Sequence, residues 1–284
     1  MNNEYKLSGK PGNILLTGLL ISPILAILIS IIYAYIDVYN PIVYFTLLVY
    51  IGYLVAIVLI QKLVIRLAKC RDTKSASIYG LIVGFFAIYA NWCTFIFVLI
   101  QKEDYPIELF DLLSNPKEIL DIMNSLSIDG YYTLFGMEVK GGFLWFIWII
   151  ESIGILLAGI AGGLSVMDEE VFCEDCNRWT EDINFNQRLS NKDETTVRSA
   201  IDHDLKKLLS IPFAEENESP HIRVNLHHCS KCQNFSTIDV DLIKLETNKK
   251  GEVEEDKEDY SPVFILSKQD YQNIIARGVS VSED

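Results

Sequence analysis

Residues 142–176 read GFLWFIWIIESIGILLAGIAGGLSVMDEEVFCEDC, and two physical regimes meet inside that stretch. From Gly142 to Val166 the run is apolar and long enough to cross a bilayer as a helix, which takes about 20 residues. Past Val166–Asp168 the composition turns acidic, and a Cys-x-x-Cys pair, Cys173 and Cys176, follows at once. A second pair, Cys229 and Cys232, lies further along. The expectation is an α-helical membrane bundle that carries a small metal-binding domain.

The rest of the 284-residue chain divides the same way. Three more long apolar runs precede the quoted one: Ile14–Ile36, Ile42–Ile60 and Ala76–Ile100. Soluble buried helices rarely stay this apolar for so long, so four spans are expected over 14–166. A secretory signal is the alternative for the first run. Its apolar core exceeds the usual ~7–15 residues and no small-x-small cleavage site follows, so the run reads as a span.

Lys and Arg set the orientation. The loop between spans two and three holds Lys62, Arg66, Lys69, Arg71 and Lys74, and the tail 1–13 adds Lys6 and Lys10. Asp37–Pro41 has no basic residue, and loop 101–141 has three against eight acids. The basic loop therefore belongs in the cytoplasm. Four spans then place both termini there, in a multi-pass protein of the cytoplasmic (inner) membrane.

That side is reducing, which disfavours structural disulfides. Paired Cys-x-x-Cys in such a compartment reads as zinc, because thiolates are soft donors and one tight turn presents two sulfurs. Cys173, Cys176, Cys229 and Cys232 are the expected ligands of a structural Zn2+. The 52 residues between the pairs exceed the ~15–20 of simple sites, so an insertion separates two knuckles. A thioredoxin-like redox pair at Cys173 and Cys176 is the alternative, without a strand–Cys-x-x-Cys–helix context to support it. His227 and His228 remain alternative ligands, although four thiolates make them unnecessary. Cys70 and Cys93 stand alone and read as apolar packing.

The acidic part, 167–284, looks like a small zinc-ribbon-like α+β domain. His221–His228 and Phe235–Glu246 alternate with period two and predict half-buried strands. Pro262–Leu266 reads as another strand. Thr195–Leu209 has helical spacing, and Ser267–Ala276 reads as a helix with Ser267 as N-cap. Asn248–Asp259 is expected to be a turn and solvated loop. With 14 Lys and Arg against 26 Asp and Glu, this part has the wrong sign for nucleic acid and for anionic lipid. A basic protein partner in the cytosol is compatible with that charge.

Inside the spans Glu151 stands out, since an intramembrane carboxyl marks a functional-site hypothesis by default. Depth counting pairs it with Asn91, with Tyr50 nearby. Gly80 and Gly84 of span three, and Gly154, Ala158 and Gly162 of span four, form small-residue stripes that let helices approach; Gly159 and Gly163 form another. Spans three and four are therefore expected to touch. Loop 101–141 reads as an extracytoplasmic cap, with Asn115-Pro116-Lys117-Glu118 as a helix start and Ile128–Val139 as a hairpin.

Ser8-Gly9-Lys10, Trp145-x-x-Trp148-x-x-Glu151 and Phe172-Cys173-Glu174-x-Cys176-x-x-Trp179 resemble a group of uncharacterised bacterial four-span membrane proteins with a C-terminal Cys-x-x-Cys domain. The resemblance implies the same architecture over most of the chain and no activity. No phosphate-binding glycine loop, zinc-protease helix or Ser-His-Asp pattern is present, so catalysis is the weakest reading. The leading one is a non-enzymatic membrane protein whose zinc-stabilised domain binds a protein partner or supports assembly in the bilayer. The alternatives are a channel or transporter using Glu151 and Asn91, and a membrane thiol-redox protein. Four spans make a thin wall for a pore, so the channel reading requires a homo-oligomer.

Overall fold

The computed structural model describes residues 3–130, 132–134, 136–183, 188–203, 205–215, 217–249 and 251–279. The chain divides into two compact units, Ser8–Glu169 and, second, Met1–Leu7 together with Glu170–Asp284. The second unit opens with β1 (Asn3–Glu4) before the chain enters the first.

The helical unit contains α1 (Ile14–Tyr39), α2 (Val43–Ala68), α3 (Thr73–Lys102), α4 (Leu109–Ser114), α5 (Pro116–Asp129), the hairpin β2 (Tyr132–Leu134) and β3 (Met137–Val139), and α6 (Gly142–Glu169). Four of these helices are long and apolar enough to cross a membrane. They pack as a ring in which α1 and α6 each touch both α2 and α3. Large apolar side chains cover its outside, and its mostly apolar interior also holds polar ones. Leu20, Ile24, Leu47, Phe85, Phe146 and Leu157 are exposed on the outside, whereas Ser22, Ser30 and Gln61 are fully buried.

Local signals explain the ends of several elements. Lys69 closes α2 in the left-handed region, and the Asp72 carboxylate accepts from Ser75 N–H at 2.9 Å to start α3. Asn115 starts α5: its Oδ1 accepts from Glu118 N–H at 3.4 Å, and its Nδ2 donates to Glu118 Oε2 at 3.1 Å. Apolar residues of this cap, Leu112, Ile119 and Met123, share a core with Val38, Ile96, Leu144 and Trp148.

The small-residue stripes divide their work between two interfaces. A methyl group on Gly80 would stand 2.5 Å from the Gly159 carbonyl oxygen, and one on Gly84 would stand 3.1 Å from Leu156 Cα. One on Gly163 would meet Ala76. The α3–α6 contact therefore sets Gly80 against Gly159, Gly84 against Leu156 and Ala76 against Gly163. The expected partners Gly154 and Gly162 instead face α2, where Gly154 meets Tyr50 and Leu54 and Gly162 meets Val58 and Gln61. Ala158 is buried between them. The stripes lie one position apart on α6, about 100° of rotation, which turns them toward different neighbours.

In the strand-rich unit, β4 (Phe172–Cys173) pairs with β5 (Arg178–Trp179). Then come β6 (Glu181–Ile183), β7 (Arg188–Ser190), α7 (Glu194–His203), a 3-10 turn (Leu205–Ser210), β8 (His221–His228), β9 (Ser236–Thr247), β10 (Val253–Asp259), β11 (Phe264–Leu266) and α8 (Lys268–Val279). The antiparallel pair β8–β9 is the centre, with Val224 opposite Val240. Beyond β8 lie β6 and β7; beyond β9 lie β10 and β11, and β1 extends β11. Ile222, Val224, Leu226, Ile238, Val240 and Leu242 form the apolar face, covered by Val197, Ile201, Leu208 and Ile274.

Two elements depart from the expectation. The charged run 253–259 is a strand in register with β9 rather than a loop. Its side chains are exposed, so the apolar alternation that marks a half-buried strand is missing. Backbone pairing and cross-strand ion pairs hold it instead: Lys257 Nζ lies 3.0 Å from Asp241 Oδ2, and Lys244 Nζ 2.8 Å from Glu258 Oε2. The second departure is the tail 1–13: Asn3 and Glu4 pair with Ile265 and Phe264, so these residues belong to the strand-rich unit.

Candidate metal centre

Two tight turns carry the four cysteines. Cys173 ends β4 and Cys176 lies in the turn to β5; Cys229 and Cys232 lie in the turn that joins β8 to β9. The turns share a backbone device. The residue after the second cysteine, Asn177 in one and Gln233 in the other, has a positive φ of 51° and 54°. That conformation curls the following peptide groups back toward the sulfurs. Gln233 N–H donates to Cys229 O at 3.0 Å, and Cys229 N–H donates to Phe235 O at 2.9 Å.

All four sulfurs lie within 4.8 Å of one another. Cys173 Sγ and Cys232 Sγ are 3.9 Å apart, too far for a disulfide. A tetrahedral ion with metal–sulfur bonds of ~2.3 Å spaces its sulfurs about 3.8 Å apart, so the set fits such an ion. The sulfur environments also differ. Backbone N–H groups of Asn234 and Phe235 hold the Cys232 thiol down to about 6. Burial pushes Cys173 up to about 12. A thiolate available at neutral pH, beside thiols that resist ionisation without a cation, suits a metal site.

The two histidines are engaged elsewhere. His227 Nδ1 lies 2.8 Å from Asp182 Oδ1, and Nε2 lies 2.9 Å from Asp239 Oδ1. Burial opposes its charge, yet the two carboxylates raise its pKa overall. His228 Nδ1 lies 2.9 Å from Ser236 Oγ, and its ring stacks on Tyr271. Of the expected alternatives, the four-thiolate set is the one the geometry assembles.

One contributor escaped sequence reading. Tyr5 lies 168 residues before Cys173, yet its hydroxyl accepts from Phe172 N–H at 2.9 Å and donates to Phe172 O at 3.2 Å. Its ring packs edge-on against Phe235, beside the second turn. Tyr5 N–H donates to Val263 O at 2.7 Å, which seats the segment. Tyr5→Phe deletes two hydrogen bonds and keeps the ring. It is expected to cost about 1–2 kcal/mol and to speed metal loss to a chelator, measured as colour release from a thiol-metal indicator.

In the helical unit, Tyr50 Oη donates to the Glu151 carbonyl oxygen at 2.8 Å. No hydrogen bond joins Asn91 to Glu151, and Asn91 Oδ1 is buried without a partner among the described residues. Nearby, α3 presents Trp92 to Trp148 of α6, with ring centroids 4.9 Å apart. Cys70 and Cys93 are buried single thiols.

Comparison of the chain with family models, with curated proteins and with solved structures finds no match in any of the three.

Proposed function

We propose that the chain is a multi-pass protein of the cytoplasmic membrane whose soluble unit is a zinc-ribbon-like domain, stabilised by a structural Zn2+ and used to bind a protein partner or support assembly. The observation that carries the reading is the closed set of four thiols. A tetrahedral zinc ion held by all four has no open position for water or substrate, which separates structural from catalytic sites. The large apolar side chains exposed on the outside of the helical unit support insertion in a bilayer. Because β1 and β11 share a sheet, the chain leaves the soluble unit at its start and returns to it after α6. An even number of crossings satisfies that path, and with the basic α2–α3 loop it supports the reading that both termini lie in the cytoplasm.

Partner binding is tested in intact membranes. A photocrosslinker on the exposed acidic strand β10 is expected to give one defined protein adduct that disappears on chelation of the metal. Equal crosslinking with and without metal would sink the reading.

A second reading, transport, is favoured by one observation. Glu151 lies among Tyr50, Tyr33 and Asp37, so two carboxyl groups and two phenols meet between α1, α2 and α6. Glu151→Gln in proteoliposomes separates the readings. Lost ion movement with intact folding favours transport, and absence of flux in both forms favours the adaptor.

A further inference from the structure

The facing surfaces of α1 and α2 carry polar groups at regular intervals, and most are paired. Asp37 bonds Thr46, Tyr33 stacks on Tyr53 at 4.5 Å, and Ser30 Oγ lies 2.7 Å from Tyr53 Oη. Ser30 Oγ also donates to the Ala87 carbonyl of α3 at 3.1 Å. These pairs define the register, in which each turn toward the start of α1 is one turn toward the end of α2. One turn below Ser30 and Tyr53 lie Ala26 and Ile57, both fully buried. The next turn brings Ser22 level with Gln61, and both are again fully buried.

This second layer is unlike the first. Ser22 Oγ, both Gln61 side-chain atoms and the Tyr79 hydroxyl are buried without a hydrogen-bond partner among the described residues. Tyr79 belongs to the same region, since its ring covers Gly18, one turn from Ser22 on α1. Gln61 sits over Gly162 of α6, where a side chain on the glycine would collide with it. Glycines on two helices thus admit the Tyr79 ring and the Gln61 stem, which bring polar side chains from three helices into this layer. Roughly 90% or more of buried polar groups have a partner, and leaving one unpaired costs about 1–3 kcal/mol. Four unmet polar atoms in one layer call for a ligand.

Their chemistry selects it. Gln61 Nε2 needs acceptors and Oε1 needs a donor, while the two hydroxyls take either role. A cation would leave Nε2 unmet, and an anion would leave Oε1 unmet. We propose that Ser22, Gln61 and Tyr79 form an internal site for bound water in the half of the helical unit nearest the start of α1. Buried water typically makes about three hydrogen bonds, and the polar side chains of this layer supply that many. Ala26 and Ile57 separate this water from the paired hydroxyls of Ser30 and Tyr53. The site stands independently of the metal centre and of the proposed partner.

Solid-state NMR of the whole protein in bilayers, with 15N-labelled glutamine, tests it. The Gln61 side-chain amide is assigned by its loss in Gln61→Met. Magnetisation from water is expected to reach this amide as fast as it reaches the amides of loop 103–108. Build-up as slow as at the backbone amides of Ala26 and Ile57 would overturn the proposal. Thermal unfolding gives a second readout. Met keeps the volume of Gln but strands the water held by Ser22 and Tyr79, so a lower midpoint is expected. An unchanged or higher midpoint means the layer is dry and also overturns it.

Discussion

Cys173→Ser is expected to abolish metal binding and, with it, the folded state of the soluble unit. Cys173 is buried at the end of β4, and serine there offers a hard, weakly acidic hydroxyl in place of a thiolate. Structural zinc contributes an apparent 10–16 kcal/mol in small domains, whereas whole domains are stable by about 5–15 kcal/mol. Loss of the ion is therefore comparable to the entire stability. The cysteines also staple parts that the sheet alone does not hold: the two-residue strands β4 and β5 form their own small sheet, apart from β8 and β9. Hydrogen exchange should show β4–β11 exchanging fully in the mutant, with helices α1–α3 and α6 still protected. Protection of the soluble unit equal to that of the parent would contradict the expectation.

Gly159→Leu is expected to break the helical unit as decisively. Gly80 and Gly159 approach through their backbones, each lying where a side chain on the other would go. Ordinary core overpacking costs about 1–3 kcal/mol because side chains yield, whereas here the obstacle is the Gly80 carbonyl, which cannot rotate away. The α3–α6 pair would have to separate along its length, since Gly84 and Gly163 pack in the same seam. Gly52→Ala is the control. A methyl there meets nothing within 4 Å, so the change should be neutral or stabilise α2 by up to about 1 kcal/mol through helix propensity. Detergent stability of the two mutants, followed by loss of helical signal, should differ sharply. Equal stability would show that the glycine seam does not hold the bundle.

The residues differ in how far their sequence pattern revealed their structural role. Ile222, Val224 and Leu226 alternate because one face of β8 is buried, and that pattern predicts the strand directly. The four long helices announce themselves by length and apolarity. Strand β10 does not, because its residues bury no face and its pairing resides in backbone groups that every residue type carries. Tyr5 was invisible for another reason: its hydrogen bonds join segments more than 160 residues apart, and no local period encodes such a contact. The cysteine set was legible because metal chemistry restricts both residue type and spacing. Asn177 fits the left-handed turn by type, while Gln233 gives no such signal.

Metal content of the whole purified protein tests the central claim most directly. The whole chain is required because β1 and Tyr5, which precede the helices in sequence, complete the strand-rich unit. Native mass spectrometry with elemental analysis is expected to find about one zinc per chain and no free thiols among Cys173, Cys176, Cys229 and Cys232 until a chelator is added. A folded protein without metal, with all four thiols titrating freely, would contradict the account.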